Sequence, residues 1–235
     1  MNYLDNFDLS KFVKDLTKNG FAKLPSINSL PNFDELKNNA IDELENKTFK
    51  SNLKIHNKIL NLMSFNQIIL PELIKIAKQQ FNFNDKINNS YHIARFIKPS
   101  QKSEGYRCHF DSHIFTMVLP ILIPMEKNIE DRGQLICFPN FRSHPKNELV
   151  NIIQKVYYKR YTGKKLIEKL FSKKKYFEFS FEDYQPIIFF GTKTLHLNKD
   201  IDKRINIKRL TFLSHYFDTS SKFGIGNFMR ILRKR

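Results

Sequence analysis

The second half of the chain carries a series of short apolar runs, which constrain the fold more than any other feature. Each run is rich in β-branched and aromatic residues and is bounded by polar or turn-forming residues. Such runs are typical of buried strands. Many short strands separated by turns favour a β-sandwich or barrel. The predicted strands span residues 91–97, 114–123, 134–138, 176–181, 186–191 and 210–217.

The first third of the chain has helical spacing instead. Apolar residues from Leu9 to Leu16 recur at helical intervals, Asp8 is placed to cap that helix, and Gly20 is placed to end it. The fold class expected from both halves is mainly β with flanking helices, an α+β arrangement. The other predicted elements of the first third are a strand at 21–24 and helices at 33–46 and 71–81, the last with Pro71 in its first turn.

The net charge of +17 is concentrated in two stretches. Residues 142–175 hold 11 Lys and Arg against 2 Asp and Glu, and residues 203–235 hold 9 against 1. Helical spacing over 147–171 predicts that the first stretch is a helical insertion, near 145–175, between two strands. The second stretch ends in a predicted amphipathic helix at 227–235. Clustered cations favour an anionic partner, with a solvated basic surface as the open alternative.

The length and the absence of repeats predict one domain over residues 1–235. Its parts are helical support (1–89), a β core (90–217) with the basic helical insertion (142–175), and a basic tail (218–235). Two cysteines give no disulfide framework, and the first ten residues lack the apolar segment of a signal peptide. We therefore expect a cytoplasmic protein, whose basic tail would allow peripheral contact with an anionic membrane.

The clearest chemical motif is His109-Phe110-Asp111. On a strand, His109 and Asp111 project to the same side, so an imidazole and a carboxylate can reach one cation. An isolated His-x-Asp is more often a hydrogen-bonded pair than part of a metal site. The downstream order supports a metal site, because His196 follows an apolar run and Arg209 begins the next predicted strand. Two histidines and one carboxylate leave coordination positions open, as iron(II) requires when it also binds a co-substrate and oxygen.

This order resembles the iron(II)/2-oxoglutarate-dependent dioxygenase superfamily, in particular its phytanoyl-CoA dioxygenase-like and prolyl-hydroxylase-like branches. The resemblance covers about residues 90–217 and rests on Tyr-x-x-His-x-Asp at 106–111, the distal His196, and Arg-x-Thr at 209–211. It implies a double-stranded β-helix, the jelly-roll or cupin-like fold. It also implies a hydroxylase that uses Fe(II), 2-oxoglutarate and O2.

The resemblance also implies roles for individual residues. His109, Asp111 and His196 would be both the catalytic residues and the metal ligands. Arg209 would bind the far carboxylate of 2-oxoglutarate, and Thr211 and Tyr106 would add hydrogen bonds to it. Arg204 is a rival for that carboxylate, because thirteen residues from His196 to Arg209 is a slightly long gap.

Other residues have both structural and functional interpretations. His113, Arg95 and Arg142 are candidate substrate contacts, although packed or salt-bridged roles are as common for such residues. The remaining expectations are structural roles for His92, His144 and His215, a surface position for His56, and a Cys108 that faces away from the metal.

The sequence does not name the substrate, but the basic insertion favours an anionic or carrier-linked small molecule, sugar or lipid. Nucleic acid is less favoured, since few aromatic residues are interleaved with the charges. Two other functions stay open. One is a metal-free β-helix that binds an anionic partner, either nucleic acid or membrane. The other is a cupin-type metalloenzyme that does not use 2-oxoglutarate.

Overall fold

A computed structural model describes residues 3–44, 47–84, 90–97, 105–124, 132–145, 147–159, 167–169, 172, 174–201 and 208–219. All seven predicted strands are present, each within two residues of its expected ends. Two short strands, β2 and β8, were not predicted, because neither has a long apolar run. The strands are β1 (Phe21–Lys23), β2 (Phe49–Ser51), β3 (Tyr91–Ile97), β4 (His113–Leu122), β5 (Leu135–Phe138), β6 (Phe177–Phe179), β7 (Ile187–Phe190), β8 (Leu195–Asn198) and β9 (Arg209–Asp218).

The strands form two antiparallel sheets. The major sheet has six strands in the order β1-β7-β4-β9-β3-β2, and the minor sheet has three in the order β6-β5-β8. The sheets meet through aromatic contacts, with the ring of Phe21 4.7 Å from that of Phe177 and Phe189 4.9 Å from His196. Neighbouring strands are distant in sequence, as in a jelly roll, and this confirms the predicted fold class.

Helices cover the outer face of the major sheet. His56 stacks on Phe212 at 4.6 Å, and Phe65 stacks on Tyr216 at 5.4 Å. These contacts belong to the main hydrophobic core, which joins the helices to the sheet. The helices are α1 (Leu9–Asn19), the 3-10 helix η1 (Ile27–Ser29), α2 (Phe33–Glu43), α3 (Lys54–Leu62), α4 (Phe65–Phe81) and α5 (Glu148–Lys159).

The predicted ends of α1 are confirmed. The Asp8 side chain accepts from the backbone N–H of Lys11 at 2.8 Å, and Gly20 closes the helix in the left-handed region with φ of 82°. Two other expectations were wrong. Pro71 lies inside α4, because buried apolar residues continue at helical spacing back to Phe65. His56 is fully buried, because it lies on the face of α3 that packs against β9.

No single described helix is long and apolar enough to cross a membrane. The consecutive helices α3 and α4 pass that test together by length and composition only, and they are bent by 85°.

The predicted basic insertion begins as a helix. α5 confirms residues 148–159 of the predicted helix 147–171, and residues 167–169 are also helical. Arg204 and the amphipathic tail predicted at 227–235 lie outside the described residues. The extent of the domain stays a prediction.

Candidate metal centre

A backbone bridge brings the two proposed histidine ligands together. His109 and His196 lie opposite one another in an antiparallel bridge that extends the minor sheet beyond β8. The N–H of each donates to the carbonyl of the other, at 3.0 and 3.1 Å. Directly opposed residues share a face, so the imidazoles lie side by side with ring centroids 4.2 Å apart.

Each imidazole is oriented by a backbone carbonyl of its own segment. The Nδ1 atoms of His109 and His196 lie 3.1 Å from the carbonyls of Arg107 and Thr194, two residues earlier in each case. A carbonyl only accepts, so each Nδ1 carries the proton. Both Nε2 atoms then keep a lone pair, which is the form in which histidine binds a metal.

Asp111 completes the group. Its carboxylate oxygens lie 3.9 Å from Nε2 of His109 and 3.5 Å from Nε2 of His196. One ligand atom from each of the three residues lies within 4.8 Å of the others. The structure therefore brings together the three residues that the sequence selected.

The environment of Asp111 keeps it ionised. Burial alone would raise the pKa of this carboxyl, but His196, His215 and His109, with the Thr116 hydroxyl, hold it well below its usual value. Gly191 lets the backbone pack closely against Asp111 and Thr116. Its carbonyl accepts from the N–H of Asp111 at 3.0 Å. A Cβ at Gly191 would lie 2.7 Å from the Thr116 hydroxyl and 3.0 Å from the Asp111 side chain.

Thr116 is a site residue that the sequence did not single out, and His215, for which a structural role is expected from the sequence, also lies at the site. The Thr116 hydroxyl donates to Oδ2 of Asp111 at 2.5 Å, and Nδ1 of His215 lies 3.1 Å from the same hydroxyl. Nδ1 of His215 is also 3.9 Å from Asp111. A signal for Thr116 was available, since it is the only polar side chain in the apolar run 114–123.

His113 lies at the edge of this group. Its ring centroid is 5.1 Å from that of His215, and its Nε2 is 4.0 Å from the carboxylate of Asp218. It therefore lies beside His215, and its role as a substrate contact stays a prediction.

Arg209 is a buried cation on β9. Its guanidinium donates to the carbonyl of Gly133 and lies 5.9 Å from the ring of Phe181. Among the described residues, no carboxylate pairs with it. Burial and the neighbouring charge of Arg95 lower the pKa of Arg209 to about 9. An unmatched buried guanidinium is costly, and an anion would relieve that cost.

Thr211 and Arg95 lie on the same face as Arg209. Thr211 is two residues further along β9, and Arg95 on β3 is its direct neighbour in the register. Thr211 is buried. The strand geometry therefore supports the predicted grouping of these three side chains.

Tyr106 does not fit its expected role. Its side chain belongs to a separate apolar cluster with Cys108 and Phe110, on the far side of the minor sheet from the imidazoles. That cluster also contains Leu195 and Leu197, which flank His196 on β8 and by strand alternation face away from its imidazole. The same alternation confirms that the buried Cys108 faces away from the metal ligands.

Arg142 ties α5 to the loop between β7 and β8. It donates to the carbonyl of Thr192 at 2.7 Å and to the side chains of Gln154 and Asn151 at 2.7 and 2.8 Å. Its guanidinium also lies 3.8 Å from the ring centroid of Phe110. The structure thus gives Arg142 a connecting role, and substrate contact stays a prediction.

Further basic side chains lie near Arg142. Lys155 of α5 donates to the hydroxyl of Ser112, the residue after Asp111, at 2.6 Å. Nearby, Arg142, His144 and Lys193 line an open cleft of about 300 Å³.

The chain resembles solved structures of known activity over most of its length. The epimerase SnoN from nogalamycin biosynthesis, a non-haem alpha-ketoglutarate-dependent enzyme, superposes with a TM-score of 0.56 at 11% identity, over 89% of this chain and 80% of its own. The carbocyclase SnoK from the same biosynthesis superposes with a TM-score of 0.55 at 12% identity, over 97% of this chain and 92% of SnoK. A prolyl-4-hydroxylase from Pseudomonas putida superposes with a TM-score of 0.52 at 11% identity, over 91% of this chain and 100% of the hydroxylase.

These likenesses show that the chain shares the fold of these enzymes. No protein-family model matches the sequence, and no curated protein does. SnoN has also been solved with Fe3+ and alpha-ketoglutarate bound. Because one neighbour is an epimerase and others are hydroxylases, the fold does not fix the reaction.

Proposed function

We propose that the protein is a non-haem iron(II), 2-oxoglutarate-dependent oxygenase. The observation that carries the proposal is the convergence of His109, Asp111 and His196, whose ligand atoms lie within 4.8 Å of one another. Two nitrogens and one carboxylate oxygen, with the remaining directions open, form a donor set suited to iron(II).

Each residue of the group has a task in this proposal. His109 and His196 hold the metal through Nε2, since their Nδ1 atoms are engaged with backbone carbonyls. Asp111 provides the negative charge and stays ionised at neutral pH. Bound iron and 2-oxoglutarate would together supply the oxygen activation and substrate oxidation.

The buried Arg209 is the proposed partner of the 2-oxoglutarate carboxylate. A guanidinium can hold a carboxylate with two parallel hydrogen bonds, which fixes orientation as well as charge. Arg95 and Thr211 share its face and add a second cation and a hydroxyl. The 2-oxoglutarate carboxylate would offset the cost of burying the Arg209 guanidinium.

We further propose that the substrate is anionic. Lys155 lies beside Ser112, and Arg142 and Lys193 add two cations in the nearby cleft.

The test of the metal and co-substrate uses anaerobic protein with iron(II) and 2-oxoglutarate. We expect a weak visible charge-transfer band that His109→Ala and His196→Ala abolish. His144→Ala is the matched control and should leave the band intact, because His144 lies outside the ligand group. Iron binding without the band would favour a cupin-type enzyme, and no metal uptake would favour a metal-free binding protein.

The test of the substrate class is succinate formation with matched pairs of compounds that differ in one carboxylate or phosphate. We expect turnover to follow the anionic member, and Lys155→Met to raise its KM. Equal turnover of neutral and anionic members would contradict an anionic substrate without touching the iron site.

A further inference from the structure

Helix α5 has its polar and apolar faces reversed relative to an ordinary surface helix. Leu149, Ile153, Val156 and Tyr157 follow one another at helical spacing, and their exposed fractions are 61, 58, 66 and 43%. Asn151, by contrast, is buried. A helix of a soluble protein normally turns its apolar stripe to the core.

The inward face is held by polar contacts. Asn151 and Gln154 accept hydrogen bonds from Arg142, and Lys155 donates to Ser112. Tyr158 adds the apolar anchor, with its ring 5.5 Å from that of Phe110. These contacts fix the rotation of the helix about its axis, so the apolar stripe is directed outward.

The outward stripe is a concentrated patch. With Val150, α5 supplies five of the eight large apolar side chains that are exposed in the described residues. Scattered exposed apolar residues need no explanation, but a contiguous patch marks a surface that something covers.

The charge around the patch indicates what covers it. The segment 142–175 holds 11 cationic residues against 2 acidic ones. A second copy of the chain docked on this face would bring two strongly basic segments together, which like-charge repulsion opposes. Apolar side chains on a helix within a basic segment are instead the combination that binds the interface of an anionic membrane.

We propose that the outward face of α5, made by Leu149, Ile153, Val156 and Tyr157, docks on the surface of an anionic lipid bilayer. The apolar side chains enter the boundary between headgroups and acyl chains, and the net positive charge of the segment 142–175 favours an anionic headgroup layer. Since Lys155 of α5 contacts the residue after Asp111, docking places the bilayer on the side of the candidate metal centre. The inference does not depend on the oxygenase activity.

The experiment is flotation of the full chain with phosphatidylcholine vesicles, with and without phosphatidylserine. We expect binding only with the anionic lipid, and its loss at high salt. Ile153→Gln with Val156→Gln should weaken binding by about tenfold or more, since each buried aliphatic side chain contributes about that factor. Phe49→Gln is the matched control, because Phe49 is a 48% exposed apolar residue outside α5, on the edge strand β2 of the major sheet.

Two results would overturn the proposal. Undiminished vesicle binding by the α5 double variant would assign the contact to another basic segment. Alternatively, a dimer in sedimentation that the double variant abolishes would make α5 an interface between copies. Far-ultraviolet circular dichroism of each variant would verify that its helices are retained.

Discussion

The two sheets contribute to the candidate site in different ways. The minor sheet, with the segment bridged to it, holds the imidazole ligands through backbone hydrogen bonds: one bridge pairs His109 with His196, and each Nδ1 is held by a carbonyl two residues earlier. The major sheet holds charged and polar side chains, including Arg209 and Thr116, between itself and the minor sheet. The position of the imidazole ligands thus depends on backbone pairing, whereas the proposed co-substrate site depends on a buried charge.

The largest expected effect comes from removing a ligand on the minor sheet. His196→Ala should weaken iron(II) binding by at least about a hundredfold, because removing only a group that hydrogen-bonds to a metal ligand can already cost up to that factor. The comparison is His215→Ala on the major sheet, which should weaken it less. Iron titration followed by succinate formation measures both, and equal losses would place His215 among the ligands.

Removing the buried cation of the major sheet should affect the co-substrate alone. Arg209→Met should raise the KM for 2-oxoglutarate by about a hundredfold, because the charge-assisted pair between guanidinium and carboxylate is lost. Iron affinity should not change. In the absence of co-substrate, the free energy of unfolding should not fall, because an unmatched buried charge is removed. Arg204→Gln should leave the KM unchanged, and a rise there would transfer the role to Arg204.

A smaller effect is expected where the major sheet supports a ligand. Thr116→Val removes the hydroxyl that donates to Asp111 and should weaken iron binding by about tenfold. Thr194→Val is the matched control, since the buried Thr194 hydroxyl has no hydrogen-bond partner among the described residues. If both variants bind iron equally, the Thr116 hydroxyl does not support the ligand.

The smallest effect concerns the helix side of the major sheet, where His56 and His92 both contact the Ser214 hydroxyl, at 2.9 and 3.0 Å. Burial, with the charge of a neighbouring histidine, lowers the pKa of His56 to about 3 and that of His92 to about 4. Both are therefore neutral when folded but take up protons in the unfolded chain below a pH of about 6.5. The stability they contribute is present above that pH and is lost as the pH falls towards 4.

Each such group contributes a slope of up to about 1.4 kcal/mol per pH unit in this window. His56→Gln, whose amide can keep the bond to Ser214, should reduce the slope of unfolding free energy against pH. His144→Gln, at a half-buried site, should reduce it less. Denaturant unfolding between pH 4 and 7 measures both slopes. An unchanged slope in His56→Gln would show that folding does not lower the pKa of His56.

The sequence predicted the parts that follow from local rules. Strand alternation placed His109 with Asp111 and turned Cys108 away, and apolar runs located seven strands. It failed where tertiary packing decides. His56 is polar but buried, because its helix face meets β9, and Tyr106 packs in a separate cluster behind the minor sheet. β8 was missed because four residues with a central histidine carry no strand signal of their own, although their pairing with β5 and His109 places the second imidazole.

The bridge between His109 and His196 also makes the assembly of the site observable without any ligand. The two residues are distant in sequence, and each backbone N–H is protected only while the other strand is in register. Amide hydrogen exchange at these two positions would therefore report directly how often the site opens. If they exchange with the slowest amides of β4 and β9, the ligand pair forms one cooperative unit with the core. Faster exchange would identify the minor sheet as a unit that opens by itself.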